Sequence, residues 1–523
     1  MPDSSPLSGC ALPAGFAAKR RVVALALASA LLGGLLIGIG GPKVGIVLLL
    51  ACLLIAAFFV SLRLSFWALV VVTFLLTGPV QYFGGIGRIF WLPYLVGAIL
   101  LVRATASGMF ASRIGRAAQF RSASLELPLI LFSAILVAST LANRSPALQV
   151  LFSAKEYFFL WGAWLLVVGG AIAIRSVDRI WAWMPWFLLL QLPVIFYQRF
   201  FITSTRKGGS PWDAVVGLFG GNPEGGGASG AMAMITVITV AMAIIHWRQG
   251  QMPGWKIAMT AALGLATLML SEVKFAIVLI PVVVALIYGR DLLSRPFRSL
   301  AMLSIAVFAS LAIGYAYLSQ YASSLGVSEH SIQRYVETAV RRNADADIFD
   351  PLTREMGRIA AIRFWWKEQS LDDPFHLAIG NGIGASRLGL VQGEVAKRYV
   401  FVIERSSVAI LLWEAGILGL LAVIAALSAA TMAAFRLARR ASADDESAVL
   451  QSMGVGLFVV LLSLPYGPDF IRVPQFQLFA ILMLARVTVA ARTQAAAAAP
   501  AGQPPTRAGD ISRSVAGARR LHR

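Results

Sequence analysis

The sequence predicts an all-α polytopic membrane protein: about 14 transmembrane helices and one large helical loop outside the membrane. Three observations carry that expectation. Hydrophobic residues make up 58% of the 523 and charged residues 13%, with mean hydropathy +0.76. A soluble chain has too little surface charge to cover that much apolar area. Apolar runs of about 17 to 25 residues recur, the length that crosses roughly 30 Å of hydrocarbon. They are too long and too uniformly apolar for the alternating strands of a barrel, whereas a helix satisfies its own backbone in lipid. Finally, the polar stretch Gln320 to Glu404 interrupts the apolar pattern. A loop that long, on a chain otherwise committed to the bilayer, is where function concentrates.

The predicted spans centre near residues 31, 53, 72, 97, 134, 162, 189, 237, 262, 281, 308, 416, 458 and 482. The pair around Glu272 is barely separated. This divides the chain into an inner N-terminal segment (1–21), a bundle of about eleven helices (22–319), the loop (320–404), about three more helices (405–490) and a disordered inner tail (491–523).

Lys/Arg bias sets the orientation. Lys19 to Arg21, Arg113 to Arg121, Arg290 to Arg298, Arg436 to Arg440 and the Arg-rich tail all fall on one side, which makes both termini cytoplasmic and the large loop external. The net charge of +20 is therefore mainly topogenic and gives no nucleic-acid signal; the external loop is close to neutral. It can attract anionic membrane lipids. Cys10 and Cys52 form no disulfide framework, and Leu7 to Cys10 lacks the preceding apolar core of a lipoprotein signal.

Ionisable residues inside or beside spans are costly in lipid and point to function. Lys155 and Glu156 lie near the outer end of a span, either as a self-neutralising pair or in a cleft. Arg199 closes another span, where it either snorkels or lines a cleft. Gly217 to Gly230 is glycine-rich and leads into a span. Free backbone amides there, with a helix N-terminus, could hold an anion; the bland alternative is a flexible turn. It has no Gly-Lys-Ser/Thr of a nucleotide loop. Ser271-Glu272-Val273-Lys274 puts an acid and a cation at a tight outer turn. Glu414 stands well inside a span and needs a partner; Gly416 and Gly419 beyond it suggest close helix packing. In the loop, 328–342 and 353–368 read as amphipathic helices. Arg354 and Arg358, four apart, would share a face of the second. Trp365 and Trp366 suit either the membrane interface or stacking on sugar rings. His330 and His376 lack metal-ligand spacing, so no metal site is expected.

These pieces, in this order over roughly residues 180–430, resemble the bacterial O-antigen ligase and polymerase family of Wzy-like membrane glycosyltransferases. The family's Gly-x-Phe-x-Asn-Pro-Asn segment is similar to Gly217 to Pro223, and its Ser-x-Ser-Arg turn to Ser271 to Lys274. Its Gly-Arg-x-x-x-Trp and Pro-x-x-Gly-x-Gly elements resemble Gly357-Arg358, Trp365 and Pro374 to Gly384. Its closing Glu-x-Gly-x-x-Gly looks like Glu414, Gly416 and Gly419. There are departures: Lys274 replaces arginine, and Arg405-Ser406 replaces a His-Asn pair. The missing histidine favours a polymerase over a ligase.

The resemblance implies a GT-C-like fold in the inner membrane with a periplasmic loop, acting on a polyprenyl-pyrophosphate-linked oligosaccharide. It implies neither cofactor nor metal, and a chain-length-regulating copolymerase is a possible partner. An acceptor hydroxyl would displace the lipid pyrophosphate, whose charge fixed cations stabilise. On that basis Lys274, Arg358, Arg405 and Glu272 are the expected catalytic residues, and Arg199, Asn222, Glu224, Arg354 and Glu414 the expected substrate-binding ones. Glu224, Glu272 and Glu404 are candidate bases. Two other classes remain open: a lipid-linked oligosaccharide flippase or transporter, and a scaffold subunit of an envelope complex.

Overall fold

The computed structural model describes residues 60–106, 123–203, 214–224, 226–271, 273–289, 291, 294–325, 345, 354–369 and 373–497. Among these residues the chain is helical, with only two isolated β-bridges, Gly221–Gly227 and Glu355–Val402.

Eleven described helices are long and apolar enough to span a membrane. They are α1 (Leu62–Gly84), α2 (Gly87–Ala106), α3 (Ala123–Ala142), α4 (Ala147–Val168), α5 (Ile174–Ile202), α6 (Ser229–Arg248), α7 (Gly254–Ser271), α9 (Pro296–Leu325), α12 (Ser407–Arg440), α13 (Asp444–Ser463) and α15 (Pro474–Ala497). A twelfth, α8 (Phe275–Tyr288), has 14 residues and rises about 21 Å, less than a hydrocarbon core. Each falls where an apolar run was expected. The runs near 31 and 53 lie outside the described residues.

The bundle has a clear inside and outside. The apolar windows of α15 and α6 are 89% and 78% buried, so these two helices form its axis. Their packing positions carry Ala and Thr as well as larger residues, which lets neighbours approach. At the periphery, α3 exposes Leu127, Ile130 and Leu131, and α9 exposes Ile305 and Phe308. Apolar exposure on such a scale suits lipid rather than water.

The loop-bearing end holds the ends of α3 and α9 and the starts of α4, α6, α8 and α12. Within the loop, α10 (Arg358–Glu368) and α11 (Pro374–Ile379) are described, and α14 (Asp469–Arg472) lies nearby between α13 and α15.

Several boundaries differ from expectation. The helix predicted over 353–368 begins only at Arg358, because Arg354 adopts φ +57° and Glu355 bridges to Val402. Arg354 and Arg358 therefore do not share a helical face. The helix predicted over 328–342 lies outside the described residues. The helix α9 continues to Leu325, past the expected boundary at 319, and α15 continues to Ala497, so the tail is helical for its first turns.

Helix α12 is not continuous. Gly416 has φ +66° and ψ −168°, which breaks the helix beside Glu414. Gly416 is thus a hinge in the chain path rather than a smooth helix-packing residue. A break at this depth strands the carbonyls of Trp413 and Glu414, which must find donors elsewhere.

Candidate functional site

The loop segment Gly380 to Gly384 supplies those donors. The amide of Asn381 donates to the Trp413 carbonyl at 2.8 Å, and that of Gly382 to the Glu414 carbonyl at 3.0 Å. The amide of Ile383 donates to Thr140 Oγ1 (3.1 Å) and that of Gly384 to Glu414 Oε2 (2.7 Å). Ser139 and Asn143 both donate to the Gly380 carbonyl at 3.1 Å. The segment reaches this depth because Gly380, Gly382 and Gly384 all have positive φ and all lie where a Cβ would overlap neighbouring atoms. Two short motifs, distant in sequence, form one knot.

Glu414 is fully buried at the centre of that knot. Besides the Gly384 amide, it accepts from Tyr157 Oη and Ser386 Oγ, each at 2.7 Å. Arg472 of α14 lies 3.9 Å away. Arg472 also pairs with Glu156 and Glu404, and Arg387 pairs with Glu156 at 2.7 Å. Lys155 pairs with Glu156 and lies over the rings of Trp91 and Tyr94 at 4.9 and 4.8 Å. A π-type turn at Lys155–Phe159 widens α4 and turns three consecutive side chains, Lys155, Glu156 and Tyr157, into the protein.

Three carboxylates and three cations therefore balance in one buried network. Arg472 sits in it against the penalty of burial; Glu156, Glu404 and Glu414 hold its guanidinium charged, above the usual range. Burial pushes the Glu404 carboxyl up, and Arg472 opposes it. Glu404 also accepts from the Leu388 amide at 3.1 Å. These partners tie Glu404 into the network. The network ties the loop (Arg387, Glu404) to the bundle (Glu156, Glu414). Nothing in the local sequence around Arg472 announced this role, because its partners come from α4 and the loop.

A second cluster is more accessible. The ring of Tyr466 stacks on Phe275 at 4.6 Å with 19° between planes, and the half-buried Arg358 guanidinium lies 4.3 Å from the centre of the same ring. Phe275 is the first residue of α8, and Lys274, exposed at its N-terminal boundary, precedes it in the chain. Arg358 is the first residue of α10. Of the expected catalytic cations, Arg358 lies on the Tyr466 ring and Lys274 is the chain neighbour of Phe275, which stacks on it.

Asp469 stands behind them. Its carboxyl accepts from the Ala231 amide, within the first turn of α6, and Gly230 leaves it room: a Cβ there would lie 2.5 Å from Oδ2. Burial pushes Asp469 up to about 6, while Arg358 and the Ala231 amide pull the other way. The anion at this helix N-terminus is the protein's own carboxylate. The free-amide anion site expected at Gly217 to Gly230 is therefore corrected. The loop instead bonds to itself, Asn222 N to the Gly226 carbonyl (3.0 Å) and Ala228 N to the Gly220 carbonyl (3.1 Å). Its base is held by the buried Gln198, whose Oε1 accepts from the Val216 and Gly217 amides at 3.0 and 2.7 Å.

The remaining expected residues disperse. Asn222 and Glu224 are exposed at the tip of that glycine hairpin, with Asn222 Oδ1 accepting the Glu224 amide at 3.0 Å. Arg199 bonds Thr203 at 3.3 Å within its own helix end, and the neighbouring Gln198 reaches the glycine loop. Arg405 pairs with Glu355 at 2.6 Å and donates to the Met356 carbonyl at 2.9 Å, bracing the stretch that precedes Arg358. Arg354 is exposed, and its carbonyl accepts from the Val402 amide at 2.8 Å. Glu414 is fully bonded inside the knot and cannot reach a substrate. Ser406 caps α12 by accepting from Ala409 N at 3.1 Å. Trp365 is 2% exposed, packed with Trp413, so it neither anchors at an interface nor meets a sugar; Trp366 is 58% exposed. Glu272 lies outside the described residues.

His376 is bonded at both nitrogens, to Asp373 Oδ2 (2.5 Å) and Asn143 Oδ1 (2.7 Å). The bond to His376 holds the Asp373 carboxyl below the usual range. Among the described residues no group of three His, Cys, Asp or Glu side chains could hold a metal.

No protein-family model matches the chain, and no curated protein matches it significantly.

Proposed function

We infer that this membrane protein transfers glycan from a polyprenyl-pyrophosphate carrier on the outer face of a bacterial inner membrane, as a polysaccharide polymerase. The observation that carries this reading is the Arg358 guanidinium on the Tyr466 ring, on the loop-bearing end of the bundle, with Lys274 next in the chain to the Phe275 that stacks on that ring. A half-buried arginine and an exposed lysine at this end of the bundle suit a leaving pyrophosphate. As the acceptor hydroxyl oxygen bonds to the anomeric carbon, the bond from that carbon to the pyrophosphate oxygen breaks. The polyprenyl pyrophosphate departs with the electron pair, and the hydroxyl proton passes to water. Positive side chains fixed where that charge grows lower the barrier. Arg358 is planar and held by stacking, and Lys274 supplies a point charge. The ligase alternative differs in acceptor: a completed lipid or protein rather than another repeat unit.

The buried knot supports this reading indirectly. It ties loop residues 380–404 to the bundle, and Arg405 braces the stretch that precedes Arg358, which favours a fixed placement of that guanidinium. A transporter reading draws on the break in α12 beside a buried carboxylate, a feature of carriers. Here the break is filled by residues 380–384 and the carboxylate is saturated by three hydrogen bonds.

The test is product analysis in the native bacterium carrying Lys274→Ala and Arg358→Ala, with protein level followed by immunoblot. Loss of long polymer with build-up of single lipid-linked units is the expected result. Full-length polymer left unattached would identify a ligase. Unchanged polymer at normal protein level would overturn the assignment and return the transporter and scaffold readings.

A further inference from the structure

At the opposite end of the bundle, a cavity of about 960 Å³ opens between the starts of α3 and α5, the end of α12 and the last turns of α15. Its inner walls are apolar, formed by Leu125, Ile174, Leu437 and Val489. Its rim carries Arg436 and Arg440, one turn apart on α12 and both exposed. Arg486, also in the lining, is already committed: it bonds Asp178 at 2.8 Å and Glu446 at 2.9 Å. Among the described residues, neither Arg436 nor Arg440 has a hydrogen bond or ion pair. The lining thus holds three arginines and one acid, Glu446, with two guanidinium groups unmatched.

On the α3 side the cavity is walled by Leu125, and further along the same helix Leu127, Ile130 and Leu131 are exposed apolar surface. An occupant must therefore be anionic at the helix ends and apolar along the bundle. We propose that this cavity is a binding site for an anionic glycerophospholipid, its phosphodiester between Arg436 and Arg440 and an acyl chain against α3. A zwitterionic lipid would bring an ammonium against the same two cations. The positive-inside rule gives this end to the leaflet facing the cytoplasm, where anionic headgroups attract basic clusters.

The test uses the full-length protein in detergent, with native mass spectrometry after addition of phosphatidylglycerol, phosphatidylethanolamine or inorganic phosphate. Wild-type protein is expected to retain phosphatidylglycerol in preference to phosphatidylethanolamine, and Arg436→Gln with Arg440→Gln to reduce that retention about tenfold or more. Arg439→Gln, one position off the cavity face, should leave it unchanged. Equal retention of both lipids, or equal retention by wild type and the double variant, would overturn the proposal. Displacement of the lipid by millimolar inorganic phosphate would reduce the site to a free-phosphate site and overturn the lipid assignment. A thermal midpoint raised by phosphatidylglycerol in wild type and not in the double variant gives the same answer independently.

Discussion

Gly380 of the loop and Gly416 of α12 are packed backbone to backbone: a Cβ on Gly380 would lie 2.6 Å from the Gly416 amide nitrogen, and one on Gly416 would lie 2.6 Å from the Gly380 nitrogen. Both have positive φ, +74° and +66°. This contact is what lets the loop enter the break in α12 and bond the stranded carbonyls. An alanine at either position adds about 1–2 kcal/mol of left-handed strain and then overlaps fixed backbone. Gly380→Ala and Gly416→Ala are each expected to lower the thermal midpoint of the detergent-solubilised protein sharply. The double variant should fall short of the summed effects, because both disrupt one contact. Full additivity would show that the two glycines act separately.

Breaking the buried ion network by removing one member should be more harmful than neutralising it in part. Arg472→Met leaves Glu156 and Glu404 facing each other without their shared cation, at an expected cost of about 3–5 kcal/mol. Glu414→Ala orphans the Gly384 amide, Ser386 and Tyr157 together. Glu414→Gln retains an acceptor oxygen and should be milder. Yield and midpoint after purification measure all three; a Glu414→Ala protein as stable as wild type would refute the structural role.

Asp469 predicts a dependence on pH whose sign follows from its raised value. Burial moves it from an ordinary 3.8 to about 6. Its contribution to stability is fully present below about pH 3.8 and is lost as pH rises through about 6, as the buried carboxyl ionises. A shift of that size corresponds to about 3 kcal/mol at most. Asp469→Asn keeps an acceptor for the Ala231 amide and removes the titration. The variant should show a flatter midpoint-against-pH curve between pH 4 and 7 than wild type. Glu404, also raised by burial, adds dependence of the same sign in both proteins.

The Tyr466 ring should matter to activity through Arg358. Removing the ring in Tyr466→Leu frees a guanidinium held 4.3 Å from its centre, and Arg358→Lys keeps the charge without the planar stacking. Each is expected to reduce polymer several-fold at unchanged protein level, less than Arg358→Ala. Wild-type polymer from both variants would separate Arg358 from the chemistry.

The adjacent tryptophans should behave oppositely. Trp365→Ala empties a buried position and is expected to cost about 3–5 kcal/mol, whereas Trp366→Ala, at an exposed one, should stay within about 0.5 kcal/mol. Midpoints of the two single variants decide it.

The amino-acid sequence determined the fold class and the placement of the described spans without help, because a run of apolar residues long enough to cross lipid has one way to satisfy its backbone. It also singled out Lys274, Arg358, Glu414 and the glycine segments, since charges in apolar runs and clustered glycines are visible locally. Only the tertiary structure decided what each does. Glu414 belongs to a saturated knot, Arg405 braces Glu355, and the helix N-terminus at Ser229 is filled by Asp469 from 240 residues away. Arg472 and Gln198, which looked unremarkable in sequence, became the network's shared cation and the glycine loop's clasp. The reason is physical: helix formation in lipid depends on neighbours a few residues apart, while the neutralisation of a buried charge depends on whichever distant group the packing brings within reach.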